Sequence, residues 1–150
     1  MQTIRIQHDF DTDAATVFDV IADHAGYASL PGVRRAYLRQ AGTPQRRGIG
    51  AERVLCLPLL TIVERVTEYV PGELLGYRII ESPLPIHHFG AQIRLEPLGD
   101  DLARTRVHWV SRLRATIPFG RDLTERGIAR QMTVGYTAAL RIWARRLRRI

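Results

Sequence analysis

Hydrophobic and polar positions alternate through most of the chain and then change period near its end. Residues 3–10 place Ile4, Ile6, His8 and Phe10 on one face and Arg5, Gln7 and Asp9 on the other, the two-residue repeat of a half-buried strand. The segment DTDAATVFDVIAD opens with cap-type residues, and Val17, Val20 and Ile21 then recur at helical spacing. A second short helix is predicted over roughly His24 to Leu30, ahead of the Pro31-Gly32 break. From Val33 to Leu113 the pattern is strand-like again, in VRRAYLRQ, IGAERVLCLP, LLTIVERVTEYV, ELLGYRIIE, HHFGAQIRLEPL and LARTRVHWVSRL. Turn signals separate these runs at AGTPQRRG, Pro58, Pro71-Gly72, SPLP and Leu98 to Asp101. In the last run Thr105, Val107, Trp109 and Ser111 oppose Arg104, Arg106, His108 and Arg112. Strands joined by short turns predict an antiparallel meander.

From Asp122 to Ile150 the period becomes helical. Ile128, Met132, Gly135, Tyr136, Ala139, Ile142 and Trp143 share one face, with Arg130, Arg141, Arg145 and Arg148 opposite. Pro118 and Gly120 break the chain, Asp122 is placed to cap, and Glu125 stands where a capping box would need it. About 27 helical residues rise roughly 40 Å, enough to cross a whole sheet. Gly135 lies within the apolar face, where it admits either close packing or empty space. A single helix following so many strands is covered only if the sheet curls around it. The expected fold is α+β: a curved antiparallel sheet of about seven strands around a long C-terminal helix, with two short helices after strand 1. One domain over residues 1–150 is expected.

Composition changes this picture little. Apolar content of 45% and charged content of 25% are ordinary for a globular chain. No apolar run approaches the ~20 residues that span a bilayer, and MQTIRIQHDF lacks the basic-then-apolar order of a signal peptide. A cytoplasmic location is expected. The net charge is +7, and all 22 basic residues are arginine. Complete absence of lysine excludes Schiff-base lysine chemistry and reads as biased codon usage. No nucleic-acid partner is expected, since no binding module accompanies the charge.

Candidate chemistry is sparse. Cys56 is the only cysteine, which excludes an internal disulfide and an all-cysteine metal site. His87 and His88 are adjacent and point to opposite faces of a strand; His8, His24 and His108 show no metal-ligand spacing. No metal and no cofactor are expected. GxSxG, Walker and dinucleotide-binding motifs are missing. Glu64 and Glu68 share one side of a strand, where solvation or pairing with arginine across strands is expected ahead of a general-base role. Alternation places Val54, Cys56, Tyr77, Ile79, Phe89, Ala91, Ile93, Val107 and Trp109 inward, with Met132 and Tyr136 facing them from the helix. A slip of one residue would exchange the faces of any strand. Trp109 and Tyr136 carry polar tips that require partners if buried. The terminal WARRLRRI would lie on an anionic membrane with Trp143, Leu147 and Ile150 inserted, although Arg146 falls at the centre of that apolar face. A solvated basic face is the plainer expectation.

Three segments carry a resemblance: TDAATVFDVIADHAGYASLPGV, ERVTEYVPGELLGYRI and RLEPLGDDLARTRVHWV. With the order of elements, they resemble the START-like superfamily (also called Bet v 1-like, SRPBCC or helix-grip) from Ile4 to about Leu147. Within it, the chain is most similar to the bacterial polyketide cyclase/dehydrase and lipid transport group. The resemblance implies a cavity between the curved sheet and the last helix that binds a hydrophobic small molecule, such as a lipid, sterol or polyketide. It brings no invariant catalytic set to transfer. Binding, with transport or sequestration as its use, is expected ahead of catalysis. The alternative is a polyketide cyclase/dehydratase-type enzyme without metal, which needs polar groups inside the cavity; Tyr136, Glu64 and Trp109 are the candidates. Peripheral membrane contact through the basic helix is the remaining partner expectation.

Overall fold

The computed structural model describes residues 1–148. Strand β1 (Gln2–Phe10) leads into helix α1 (Ala14–Ala22) and a 3-10 turn (Ala25–Ser29). Six strands follow: β2 (Arg35–Gln40), β3 (Glu52–Cys56), β4 (Thr61–Val70), β5 (Leu74–Glu81), β6 (Ile86–Leu98) and β7 (Arg104–Ala115). Helix α2 (Arg121–Leu147) closes the described chain.

All seven strands form one antiparallel sheet in the order β1-β7-β6-β5-β4-β3-β2. Strands β2 to β7 are therefore a simple meander. The exception is β1, which pairs with β7 at the far edge, from Gln2 opposite Leu113 to Phe10 opposite Thr105. The chain crosses from β1 to the other edge through α1 and the 3-10 turn, which cover one end of the curved sheet. Register shifts in β2, β4 and β6 add residues locally and bend those strands. The result is a helix-grip architecture: one face of the sheet wraps α2, and Phe10, Phe18, Ile21, Leu75, Ile93 and Leu140 form the buried centre.

Two helix ends differ from expectation. The second short helix is only a 3-10 turn, with i+3 bonds from Tyr27 N–H to His24 O (3.2 Å) and from Leu30 N–H to Tyr27 O (3.0 Å). Pro31 stops it before a longer helix can form. The capping box at the start of α2 does not form. Gly120 is the N-cap, in the left-handed region at φ +65°, with no side-chain cap among the described residues. Glu125 turns inward instead and is 2% exposed. It accepts the Ala115 backbone N–H at 3.1 Å and lies 3.5 Å from the N-terminal ammonium, tying α2 to the end of β7 and the start of β1.

The basic end of α2 also corrects a prediction. Trp143 and Leu147 are buried in the core, where Trp143 packs on Tyr27 with ring centroids 5.3 Å apart. They are not available for membrane insertion; Arg149 and Ile150 lie outside the described residues. Arg146 is reconciled with its apolar neighbours by reaching the 3-10 turn, donating to Ser29 Oγ (2.7 Å) and Ser29 O (3.1 Å).

Candidate functional site

α2 packs against β1 and β7, while the space between it and β3–β5 stays open. The cavity there has a volume of about 410 Å³. Its sheet wall alternates inward residues from three strands: Arg53 and Leu55 from β3, Ile62 and Glu64 from β4, and Tyr77 and Ile79 from β5. Trp109 of β7 closes the back, and Met132, Gly135, Tyr136 and Ala139 form the helix wall. The loop around Pro31, the β3–β4 turn and the β5–β6 turn form the rim. At Gly135 an added Cβ would meet no described atom within 4 Å, so this glycine leaves open space and does not serve helix packing.

One polar group on the wall is an ion pair. Arg53 and Glu64 are direct cross-strand partners, joined at 2.6 Å with both side chains buried. The Arg53 guanidinium also lies over the rings of Tyr27 and Tyr77, 5.2 and 5.3 Å from their centroids, where the ring faces attract its charge. Burial pushes the Glu64 carboxyl up from its ordinary value, and Arg53 opposes that shift. Arg53 donates to Tyr27 Oη (3.3 Å), while its Nε is buried with no partner among the described residues.

A second polar group is aromatic. Trp109 and Tyr136 stack with centroids 4.0 Å apart and planes 14° from parallel. Trp109 Nε1–H donates to Tyr77 Oη at 3.2 Å, and Tyr77 O–H donates to Tyr136 Oη at 3.1 Å. Burial raises the pKa of both phenols, so both remain neutral donors at ordinary pH. Behind them, His88 Nδ1 accepts the Ile79 backbone N–H at 2.9 Å, and its Nε2 meets Ser111 Oγ at 2.8 Å. An acceptor role for Nδ1 assigns the proton to Nε2. Burial, reinforced by the charges of Arg78 and His87, holds the His88 pKa down to about 4. Among the described residues no group of three or more His, Cys, Asp or Glu is arranged to hold a metal ion.

Residues 1–148 match the protein family described as polyketide cyclase / dehydrase and lipid transport. The chain belongs to that family. No curated protein matches the sequence. Several solved structures resemble it over nearly their whole length. A START superfamily protein from Mycobacterium smegmatis superposes with a TM-score of 0.76 at 12% identity, covering 97% of this chain and 98% of the other. The ZhuI aromatase/cyclase from a Streptomyces species gives 0.71 at 20% identity, covering 97% and 95%. A solution structure from Thermobifida fusca gives 0.71 at 25% identity, with the same coverage of 97% and 95%.

Within this polyketide cyclase/dehydrase and lipid transport fold, Tyr77, Ile79, Trp109, Met132 and Tyr136 stand on the cavity wall. Ala91, with Ile93 and Val107, packs in the core behind it. Val54 and Cys56 do not reach the wall: β3 sits in the opposite register, so Arg53 and Leu55 face the cavity and Val54 lies between Tyr37 and Val63 on the other face. The apolar pattern VLC suggests the reverse, but Arg53 is admitted because Glu64 stands directly across from it. Phe89 is 43% exposed and packs edge-on against His87. A bulge at Phe89–Gly90, with Gly90 at φ +126°, puts His88 and Ala91 on the same face and turns Phe89 outward. Tyr27, Arg53, His88 and Ser111 are not among the site residues that the sequence pattern predicts. The Arg53–Glu64 pairing has a readable signal, because a tight turn around Pro58 sets those two residues opposite each other.

Proposed function

We propose that the protein binds an uncharged, mostly apolar small molecule in the cavity between α2 and β3–β5, for transport or sequestration. The observation that carries this reading is an open space of about 410 Å³ beside Gly135, flanked by carbon and charge-balanced by the Arg53–Glu64 pair. That volume lies within the range of small-molecule sites, roughly 300–1,000 Å³. Burying about ten methylenes at ~0.8 kcal/mol each gives a gross gain near 8 kcal/mol, from which the entropy of association subtracts. The compartment-neutral fact that bears on partners is that no described helix is long and apolar enough to cross a membrane. For a lipid ligand, contact with an anionic bilayer would run through exposed arginines such as Arg141 and Arg145, without inserted side chains.

The test is native mass spectrometry of freshly purified protein, followed by denaturing extraction. A bound mass that is released on unfolding and extracts into organic solvent is the expected result. Protein that is empty, and that also fails to bind the neutral dye N-phenyl-1-naphthylamine, would overturn the reading.

A second reading is favoured by the polar groups on the wall. Tyr77, Tyr136 and the Arg53–Glu64 pair would hold and polarise a carbonyl in an aromatase/cyclase of the kind named for the Streptomyces relative. Incubation with a linear poly-β-ketone thioester should then release water and yield a cyclised product. An unchanged substrate recovered from the bound state would leave binding as the function.

A further inference from the structure

Strand β1 ends the sheet, so its inner edge bonds β7 and its outer edge meets no other strand. Among the described residues no backbone group outside β7 hydrogen-bonds the main chain of Gln2 to Asp9. In an antiparallel pair alternate residues turn their N–H and C=O groups away from the partner, so this edge presents a row of unused donors and acceptors. Between the edge and α2 runs an open groove of about 470 Å³, lined in part by Ile4, Ala129 and Val134. It uses a different stripe of α2 from the cavity, and the two share no lining residue.

Both sides of the edge are basic. Arg126 and Arg130 stand one helical turn apart on the α2 side of the groove, and Arg5 stands on its β1 side. Arg5 projects from the sheet face opposite to Ile4. That face also carries Arg112, paired with Thr3, and Arg114, two residues further along β7. These arginines are all exposed. None of them, nor Asp122 ahead of Arg126, forms an ion pair among the described residues. Other neighbouring carboxylates give no internal balance, since Glu125 is buried against the Ala115 N–H and Asp9 is taken by Arg104 and Arg106.

Charges on an edge strand commonly keep other strands away. Here the charge has one sign. It repels basic chains and a second copy of β1, which brings its own Arg5, and it attracts an acidic chain. Added to the edge, an extended chain would use the free backbone groups and send successive side chains to opposite faces. One set meets Arg5 and the side of the sheet that bears Arg112; the other meets Arg126 and Arg130. A flat bilayer reaches only one of these sets at a time, and the groove holds no aromatic ring on which nucleic-acid bases could stack. We infer that the outer edge of β1 docks an acidic peptide segment of a partner protein by strand addition, its carboxylates held by Arg5 on one face and by Arg126 and Arg130 on the other. The inference does not rest on the cavity reading.

The experiment titrates a fluorescein-labelled peptide of the repeat Glu-Glu-Val, about eight residues long to match a strand, at low salt with anisotropy as the readout. The expected result is saturable binding, with new hydrogen-exchange protection at outward amides between Gln2 and Arg5. Loss of two exposed charge pairs, in Arg126→Glu with Arg130→Glu, should weaken binding about ten-fold or more. Arg141→Glu with Arg145→Glu makes the same change of net charge further along α2 and should leave the affinity near that of the wild type. Both pairs are exposed, so both variants should fold, which circular dichroism checks. Equal weakening by the two pairs would overturn the inference in favour of net charge alone. A copy of the peptide N-methylated on every amide keeps the carboxylates and cannot pair with a strand; binding as tight as the parent peptide would also overturn it. No peptide binding at low salt sinks it outright, and retention of phosphatidylserine vesicles or oligothymidylate in that case would assign the patch to a membrane or to nucleic acid.

Discussion

Arg53 Nη2 and Glu64 Oε1 lie 2.6 Å apart on directly opposed positions of β3 and β4, with both side chains buried at the cavity wall. The pair is a constraint as much as a stabiliser, because neither charge is tolerable there without the other. Glu64→Ala should therefore lower stability by about 3–5 kcal/mol, leaving a guanidinium buried and unpaired. Replacing both residues, as in Arg53→Met with Glu64→Leu, should recover most of that loss. Urea unfolding of the single and double variants checks both statements.

His88 makes stability depend on pH in a defined window. Its folded pKa of about 4 lies below the ordinary 6.5, so its contribution is complete above pH 6.5. As pH falls, the unfolded chain takes up the proton first, and stability declines until the folded His88 also protonates near pH 4. The depression amounts to about 3 kcal/mol at most. His24 is also shifted down by burial and adds to the same decline. The comparison that isolates His88 is denaturation midpoint against pH for the wild type and His88→Gln, which should show a flatter profile below pH 6.5.

Gly135 separates stability from binding. Gly135→Ala removes a flexible residue from the middle of α2 and meets no described atom within 4 Å, so a gain of about 1 kcal/mol is expected. Gly135→Phe should fold as well but project its ring into the cavity. Thermal melts together with N-phenyl-1-naphthylamine titration should show the Gly135→Phe variant folded and unable to bind the dye.

Glu125 is an anchor and not a cap. Glu125→Ala would leave the buried Ala115 N–H without its acceptor and should lower stability by about 1–3 kcal/mol. Glu125→Gln keeps a carbonyl oxygen for that N–H and should lose less. Hydrogen exchange at Ala115 reports the effect locally, since only the loss of the acceptor exposes that amide.

The elements of the fold are legible wherever burial imposes a period. Ile4 and Phe10 in β1, Thr105 to Ser111 in β7 and the Met132–Trp143 face of α2 fall where alternation or helical spacing places them. Periodicity is silent on two matters that decide the site. It cannot count the extra residue at Phe89–Gly90, which reverses the faces of β6 upstream of Ala91. It also treats a charge as outward-facing, and so misplaces β3, where Arg53 points inward because Glu64 completes it from the next strand. Glu125 fails for the same reason: its spacing fits a cap, but its partner is an amide supplied by a distant strand end. His88 and Ser111 are both plain strand residues until β6 and β7 are laid side by side.

The placement of β1 beside β7 has a consequence for how the molecule comes into being. Gln2 finds its sheet partner only at Leu113, and the meander from β2 onward supplies no substitute for it. Closing so long a loop is slow compared with forming adjacent hairpins, which places assembly among the slower, non-local folding reactions. Until β1 has docked and α2 has then settled across β1 and β7, the concave face has no lid, and the binding cavity does not yet exist. An apolar ligand present at that moment would be taken up as part of the core, and its later exchange would run past the rim formed by the Pro31 loop and the β3–β4 and β5–β6 turns.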